Sequence, residues 1–131
     1  MKAFILAIIA ILGISAAATA QSTETLVLRA GQHKTSKKST LKIKFVSVVE
    51  DSRCPKGVQC VWAGNAKVKI EVTSRRLGRK IFELNTGMGP KGDQLDGWTI
   101  NLESLSPYPN AAATLDPKKY VAKFTITRLQ R

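Results

Sequence analysis

Residues 65–73 read Asn-Ala-Lys-Val-Lys-Ile-Glu-Val-Thr, and their strict alternation decides the fold class of this chain. The apolar side chains at 66, 68, 70 and 72 fall on one side of an extended strand, and the charged ones between them fall on the other. A period of two in β-branched residues is typical of a half-buried antiparallel strand.

The same alternation recurs on both sides of this segment. Further strands are predicted at 24–30, 40–50, 79–85, 97–102 and 120–129. Turn-forming residues separate them, as at Gly64-Asn65 and in the run from Pro90 to Asp93. No stretch holds a helical period for three turns, and we expect a short helical turn at 103–106 before an irregular crossover to residue 119. The prediction is an all-β fold, an antiparallel sandwich or small barrel of about six to seven strands with one disulfide.

One predicted strand departs from the pattern. Beyond Phe45, segment 40–50 becomes apolar on both faces, because Val46, Val48 and Val49 join the run. Two explanations stay open: a bulge switches the faces, or the second half of the strand is covered on both sides.

The first twenty residues have the pattern of a secretory signal peptide. Lys2 gives a positive start, residues 3–14 are apolar apart from a glycine, and Ala18-Thr19-Ala20 is a small-x-small cleavage signal. An apolar core of about 12 residues is too short to span a membrane, which takes roughly 20. We therefore expect cleavage after Ala20, a periplasmic or secreted location, and a single domain over residues 21–131.

The two cysteines, Cys54 and Cys60, have five residues between them and are predicted to form a disulfide in an exported chain. Redox-active pairs are usually spaced two residues apart near a helix start. Asp51 and Arg53 are expected to form a structural ion pair, or the carboxylate to bond loop amides. Trp62 is expected to pack as a core anchor beside the disulfide, with a ligand-stacking role as the alternative.

No cofactor or metal is expected. Two cysteines and one histidine cannot fill a four-ligand zinc site without carboxylates. A calcium site on Glu50 and Asp51 would need more oxygen ligands than this segment offers. His33, in a polar loop, is interpreted as an exposed imidazole without a ligand role.

The run Glu-Asp-Ser-Arg-Cys-Pro-Lys-Gly-Val-Gln-Cys-Val-Trp-Ala-Gly at 50–64 resembles a motif of small exported bacterial proteins without assigned function. Residues 97–102, 105–109 and Tyr120 are similar to the later part of those proteins. The resemblance covers most of residues 26–129 and implies an exported, all-β, disulfide-bearing domain. It carries over no catalytic or binding residue.

The net charge of +12, or +11 after cleavage, is the main hint to a partner. Five lysines occupy outward positions of predicted strands and would share one face if those strands are neighbours: Lys42, Lys44, Lys67, Lys69 and Lys123. Such a face attracts anionic polymers or a phosphate-bearing membrane surface, while lysines on exposed strands also protect sheet edges. Nucleic acid is not expected as a partner, because no aromatic residues interleave with the lysines.

These observations predict a binding or structural module of the cell envelope without enzymatic activity. One alternative is an electrostatic binder of anionic envelope polymers or lipid headgroups. The other is a secreted hydrolase inhibitor acting through the glycine-rich 86–96 loop. Asp93 and Asp96, three residues apart, could form a carboxylate pair, but no companion acid or base lies near them in the sequence.

Overall fold

The computed structural model describes residues 13–18 and 20–130, so most of the predicted signal peptide lies outside the described residues. The strands are β1 (Thr23–Arg29), β2 (His33–Thr35), β3 (Lys42–Asp51), β4 (Ala66–Ser74), β5 (Gly78–Asn85), β6 (Gly92–Leu95), β7 (Trp98–Ser106) and β8 (Val121–Arg128). A 3-10 turn at Pro117–Lys119 precedes β8. No helix in the described part of the chain is long and apolar enough to cross a membrane.

The strands form two antiparallel four-stranded sheets, in the orders β1-β8-β7-β6 and β2-β3-β4-β5. The inward positions of both sheets pack into one apolar core. At its centre Phe45 of β3 meets Phe124 of β8 edge-on, with ring centroids 6.2 Å apart. The predicted all-β sandwich is confirmed. It has eight strands instead of six or seven, because β2 and β6 are too short to show an alternation in the sequence.

Two bulges in β3 resolve the alternative that the sequence leaves open. The register with β4 shifts between Phe45 and Ser47 and again between Val48 and Glu50. The first bulge turns Val48 inward, and the second lets Asp51 pair with the buried Ala66. The apolar run beyond Phe45 therefore reflects two changes of face in one strand.

The expectation for residues 103–106 is wrong. Strand β7 continues through Ser106 as a partner of β8, with one register shift between Leu102 and Ser104. The alternation is hard to see there because that bulge interrupts it. The chain leaves the sheet at Pro107, which follows a cis peptide bond.

Candidate functional site

A buried arginine organises the end of the sandwich at which β3 ends. Arg53 is 4% exposed. Its Nε and Nη2 each donate to a carboxylate oxygen of Asp51 at 2.8 Å. Nη1 donates to the carbonyl of Leu105 at 2.6 Å, and Nη2 donates to the carbonyl of Pro107 at 2.8 Å. The ion pair expected from the sequence is thus present, and it extends into the chain that follows β7.

Two tyrosines complete this cluster. The guanidinium of Arg53 lies over the ring of Tyr108, 4.4 Å from its centroid. The hydroxyl of Tyr120 donates to Oδ2 of Asp51 at 2.8 Å. We call Asp51, Arg53, Tyr108 and Tyr120 the arginine clamp. It joins residues that are up to 69 positions apart in the chain.

Three groups of the clamp, Asp51, Arg53 and Tyr120, have shifted pKa values. Burial alone would raise the pKa of Asp51, but hydrogen bonds from Arg53 and Tyr120, with the charge of Arg53, hold that pKa below its usual value. Burial opposes the charge of Arg53, but the contact with Asp51 raises its pKa. Burial and the bond to Asp51 raise the pKa of Tyr120 to about 12. Asp51, Arg53 and Tyr120 therefore keep their charge states near pH 7, which suits them to a structural role.

The clamp positions the disulfide loop, residues 54–64, which follows it directly in the chain. The predicted disulfide between Cys54 and Cys60 is confirmed. The amide of Cys54 donates to the carbonyl of Ala63 at 3.0 Å, and the amide of Lys56 donates to the carbonyl of Pro109 at 3.1 Å. The loop is therefore closed covalently, tied across its base and fastened to the segment that Arg53 holds.

The loop presents apolar side chains to solvent. Val61 is 93% exposed, Trp62 is 79% exposed, and Val58 is also exposed. The expectation that Trp62 packs as a core anchor beside the disulfide is wrong. The buried position beside the loop is taken by Arg53, so the tryptophan next to the second cysteine points away from the core.

A second loop, residues 86–91, is fastened to the base of the first. The Asn65 side-chain oxygen accepts from the amides of Gly87 and Met88 at 2.9 and 3.2 Å. Its side-chain nitrogen donates to Asn85, which in turn donates to the carbonyl of Pro90. Met88, 70% exposed, lies at the tip of this loop. The hydrogen bond between Asn65 and Asn85 is not predicted from the sequence. The two asparagines are 20 residues apart, and only the pairing of β4 with β5 brings them together.

The segment 86–96 is not one long loop. Gly92–Leu95 is strand β6, and Asp96-Gly97 is the two-residue turn into β7. The two carboxylates do not pair. Asp93 accepts from the following backbone amide, whereas Asp96 accepts from Ser74 and Arg76.

The five lysines do not share one face. Lys123 lies on β8, in the other sheet. Three of the remaining four stand across from glutamates in the strand register: Lys44 from Glu71, Lys67 from Glu50 and Lys69 from Glu83. Opposite charges on neighbouring strands offset one another, so this face carries a mixed rather than a uniformly positive field.

The remaining sequence candidates stay apart from the clamp. His33 is exposed on edge strand β2 and pairs across to Lys44. Among the described residues no group of three or more histidine, cysteine or acidic side chains is placed to hold a metal ion. Comparisons with protein-family models, with curated proteins and with solved structures found no match.

Proposed function

We propose that this chain is an exported binding module of the cell envelope that holds a partner protein with its disulfide loop. One observation carries the proposal: Val61 and Trp62 are 93% and 79% exposed on a loop that is fixed from both sides. Burying these side chains against a partner removes apolar surface from water, and tryptophan is among the residues most enriched at the centres of protein interfaces.

The rigidity of the loop supports the same function. Binding costs free energy when flexible side chains and loops must be ordered, and a loop that is already fixed avoids much of this cost. The loop is held before any partner binds by three restraints: the disulfide, the hydrogen bond from Cys54 to Ala63, and the arginine clamp. These restraints concentrate on the one loop that exposes a tryptophan, as a preformed contact surface requires.

The location belongs to the same proposal. A disulfide in a small domain is compatible with an extracellular location. The apolar start of the chain and the resemblance of 50–64 to exported proteins point the same way. The lysine face of β3 and β4 gives less support to an electrostatic binder of anionic polymers or lipid headgroups, because three of its four lysines stand across from glutamates on neighbouring strands.

A secreted hydrolase inhibitor is a second candidate, and the neighbouring loop favours it. The 86–91 loop is bonded to Asn65 at the base of the disulfide loop, so Met88 and Trp62 lie on two loops at the same end of the sandwich. Two rigid adjacent loops are the kind of projection that enters a cleft. This version assigns the binding to both loops instead of one.

The test is site-specific photo-crosslinking in intact cells. A photoreactive phenylalanine analogue replaces Trp62 in one variant, Met88 in a second and Ile81 in a control. Ile81 is an exposed apolar residue of β5, outside both loops. We expect a discrete adduct from position 62 and none from 81.

The adduct pattern decides between the candidates. An adduct from position 88 to the same partner, with the partner a hydrolase, favours the inhibitor; an adduct of twice the chain mass identifies self-association. Equal labelling at 62 and 81, or none at 62, contradicts the proposal. Trp62→Ala should lose the complex in a purified pull-down, while Ile81→Ala keeps it.

A further inference from the structure

A cavity of about 590 Å³ opens at the end of the sandwich opposite the disulfide loop. Strand β4 starts beside that loop and ends at Ser74, and β7 starts at the cavity and ends beside the clamp. The cavity is lined by Arg76, Asp96, Gly97, Trp98, Arg128, Leu129 and Gln130. Its size lies within the range of small-molecule sites.

The floor of this cavity is firmly built. Asp96 and Gly97 have φ values of 52° and 81°, the left-handed conformation of the tight turn that joins β6 to β7. The amide of Leu129 donates to the carbonyl of Gly97 at 2.9 Å and fastens the end of β8 to that turn. The turn and the end of β8, which both line the cavity, are therefore held together by this hydrogen bond.

Among the described residues, one of the two guanidinium groups that line the cavity has no acidic partner. Arg76 donates from Nε and Nη2 to Oδ1 of Asp96, and Ser74 donates to Oδ2, so this carboxylate is already engaged. The ion pairs of the described residues do not include Arg128. Its guanidinium lies 5.9 Å from the ring centroid of Trp98, its cross-strand partner. The cavity thus combines an indole with a guanidinium that forms no ion pair with any described carboxylate.

We propose that this cavity binds a sugar unit that carries one carboxylate, such as a uronic acid within a polysaccharide. The carboxylate matches the planar fork of Arg128, which binds such groups through two parallel hydrogen bonds. The indole of Trp98 offers an apolar surface for the C–H side of the ring. The engaged Asp96 offers acceptor oxygens to sugar hydroxyls. This site is separate from the disulfide loop and does not depend on the protein partner proposed above.

The assay uses Trp62→Phe as a background, because the chain has two tryptophans and Trp98 then reports alone. The probe is a tetrasaccharide of alternating glucuronate and N-acetylglucosamine, and the neutral control is a tetrasaccharide of N-acetylglucosamine. We expect a saturable change in Trp98 fluorescence with the uronate probe, and at least tenfold weaker binding of the neutral one. Free glucuronate should compete, and inorganic phosphate should compete at least tenfold less well.

Two variants distinguish bidentate binding by the Arg128 guanidinium from nonspecific attraction by positive charge. Arg128→Gln should weaken uronate binding at least tenfold, whereas Lys123→Gln, which removes the same charge from the same strand, should change it less than twofold. If Arg128→Gln does not fold, Arg128→Lys keeps the charge without the fork and should still weaken binding at least threefold. Equal losses in Arg128→Gln and Lys123→Gln, equal competition by phosphate, or no response to the probe would overturn the proposal.

Discussion

Replacing Arg53 by methionine should remove a large part of the stability of this domain. Methionine keeps the apolar stem but removes the donors to Asp51, Leu105 and Pro107. The side chains of the ion pair are 3% and 9% exposed, so the carboxylate would stay buried without its cation. Breaking such a pair from one side costs about 3–5 kcal/mol, against a total of about 5–15 kcal/mol for an ordinary domain.

Urea unfolding followed by far-UV circular dichroism measures this loss. With an m-value of about 1.5 kcal/mol/M, the midpoint should fall by roughly 2–3 M. The matched control is Arg76→Met. Arg76 also donates two hydrogen bonds to an aspartate, but its side chain is 73% exposed, so its loss should cost less than about 1 kcal/mol.

Equal midpoints for the two variants would refute the reasoning, because the Arg53 pair is buried and bonded to two further carbonyls, whereas the Arg76 side chain is mostly exposed and bonds only Asp96. A second comparison tests the cause. Asp51→Asn combined with Arg53→Met removes the unpaired charge and should recover part of the stability that Arg53→Met loses.

Three further outcomes are expected. Because the pKa of Tyr120 is raised to about 12, its contribution to the free energy of unfolding should be present in full below pH 10 and be lost as the pH rises through about 12. An absorbance titration of the tyrosines should show this high midpoint, and Tyr120→Phe should remove it. Gly64→Ala should destabilise the domain by roughly 2–4 kcal/mol, since the φ of Gly64 is 73° and an added Cβ would clash with the carbonyl oxygen of Ser52. Gly31→Ala, with a φ of 85° but open space around it, should cost roughly 1 kcal/mol. Similar losses in the two variants would contradict this. Reducing the disulfide should cost about 2–2.5 kcal/mol in thermal or urea unfolding, with the sheets retained, because the closed loop is short; loss of all β structure on reduction would argue against a local role.

The strands that follow a strict alternation are predictable from the sequence. Strand β4 differs from the predicted 65–73 by one residue at each end. Its inward side chains at 66, 68, 70 and 72 are apolar, and the outward ones between them are charged. The short strand β6 has no alternation to read. Its signal is the dipeptide Asp96-Gly97, whose two positive φ values belong to the preferred two-residue hairpin turn.

The disulfide loop shows where composition misleads. Tryptophan is usually buried and arginine usually exposed, but here Trp62 is in water and Arg53 is in the interior. The burial of Arg53 depends on carbonyls 52 and 54 residues further along the chain, which no local pattern around the cysteines contains. The positions of the cysteines predict the covalent bond, and the tertiary contacts decide which side chain faces inward.

The order of residues along the chain determines when the arginine clamp can form during synthesis. Arg53 is synthesised 52 residues before the first of its carbonyl acceptors, Leu105, and still further ahead of the Tyr120 hydroxyl that donates to Asp51. A ribosome or a translocation channel releases the chain from its N-terminus, so the cysteines can meet while their supports are still inside. The disulfide loop therefore takes its final shape only after nearly the whole domain has emerged, and a fragment that stops before residue 105 would carry the bond without the surface.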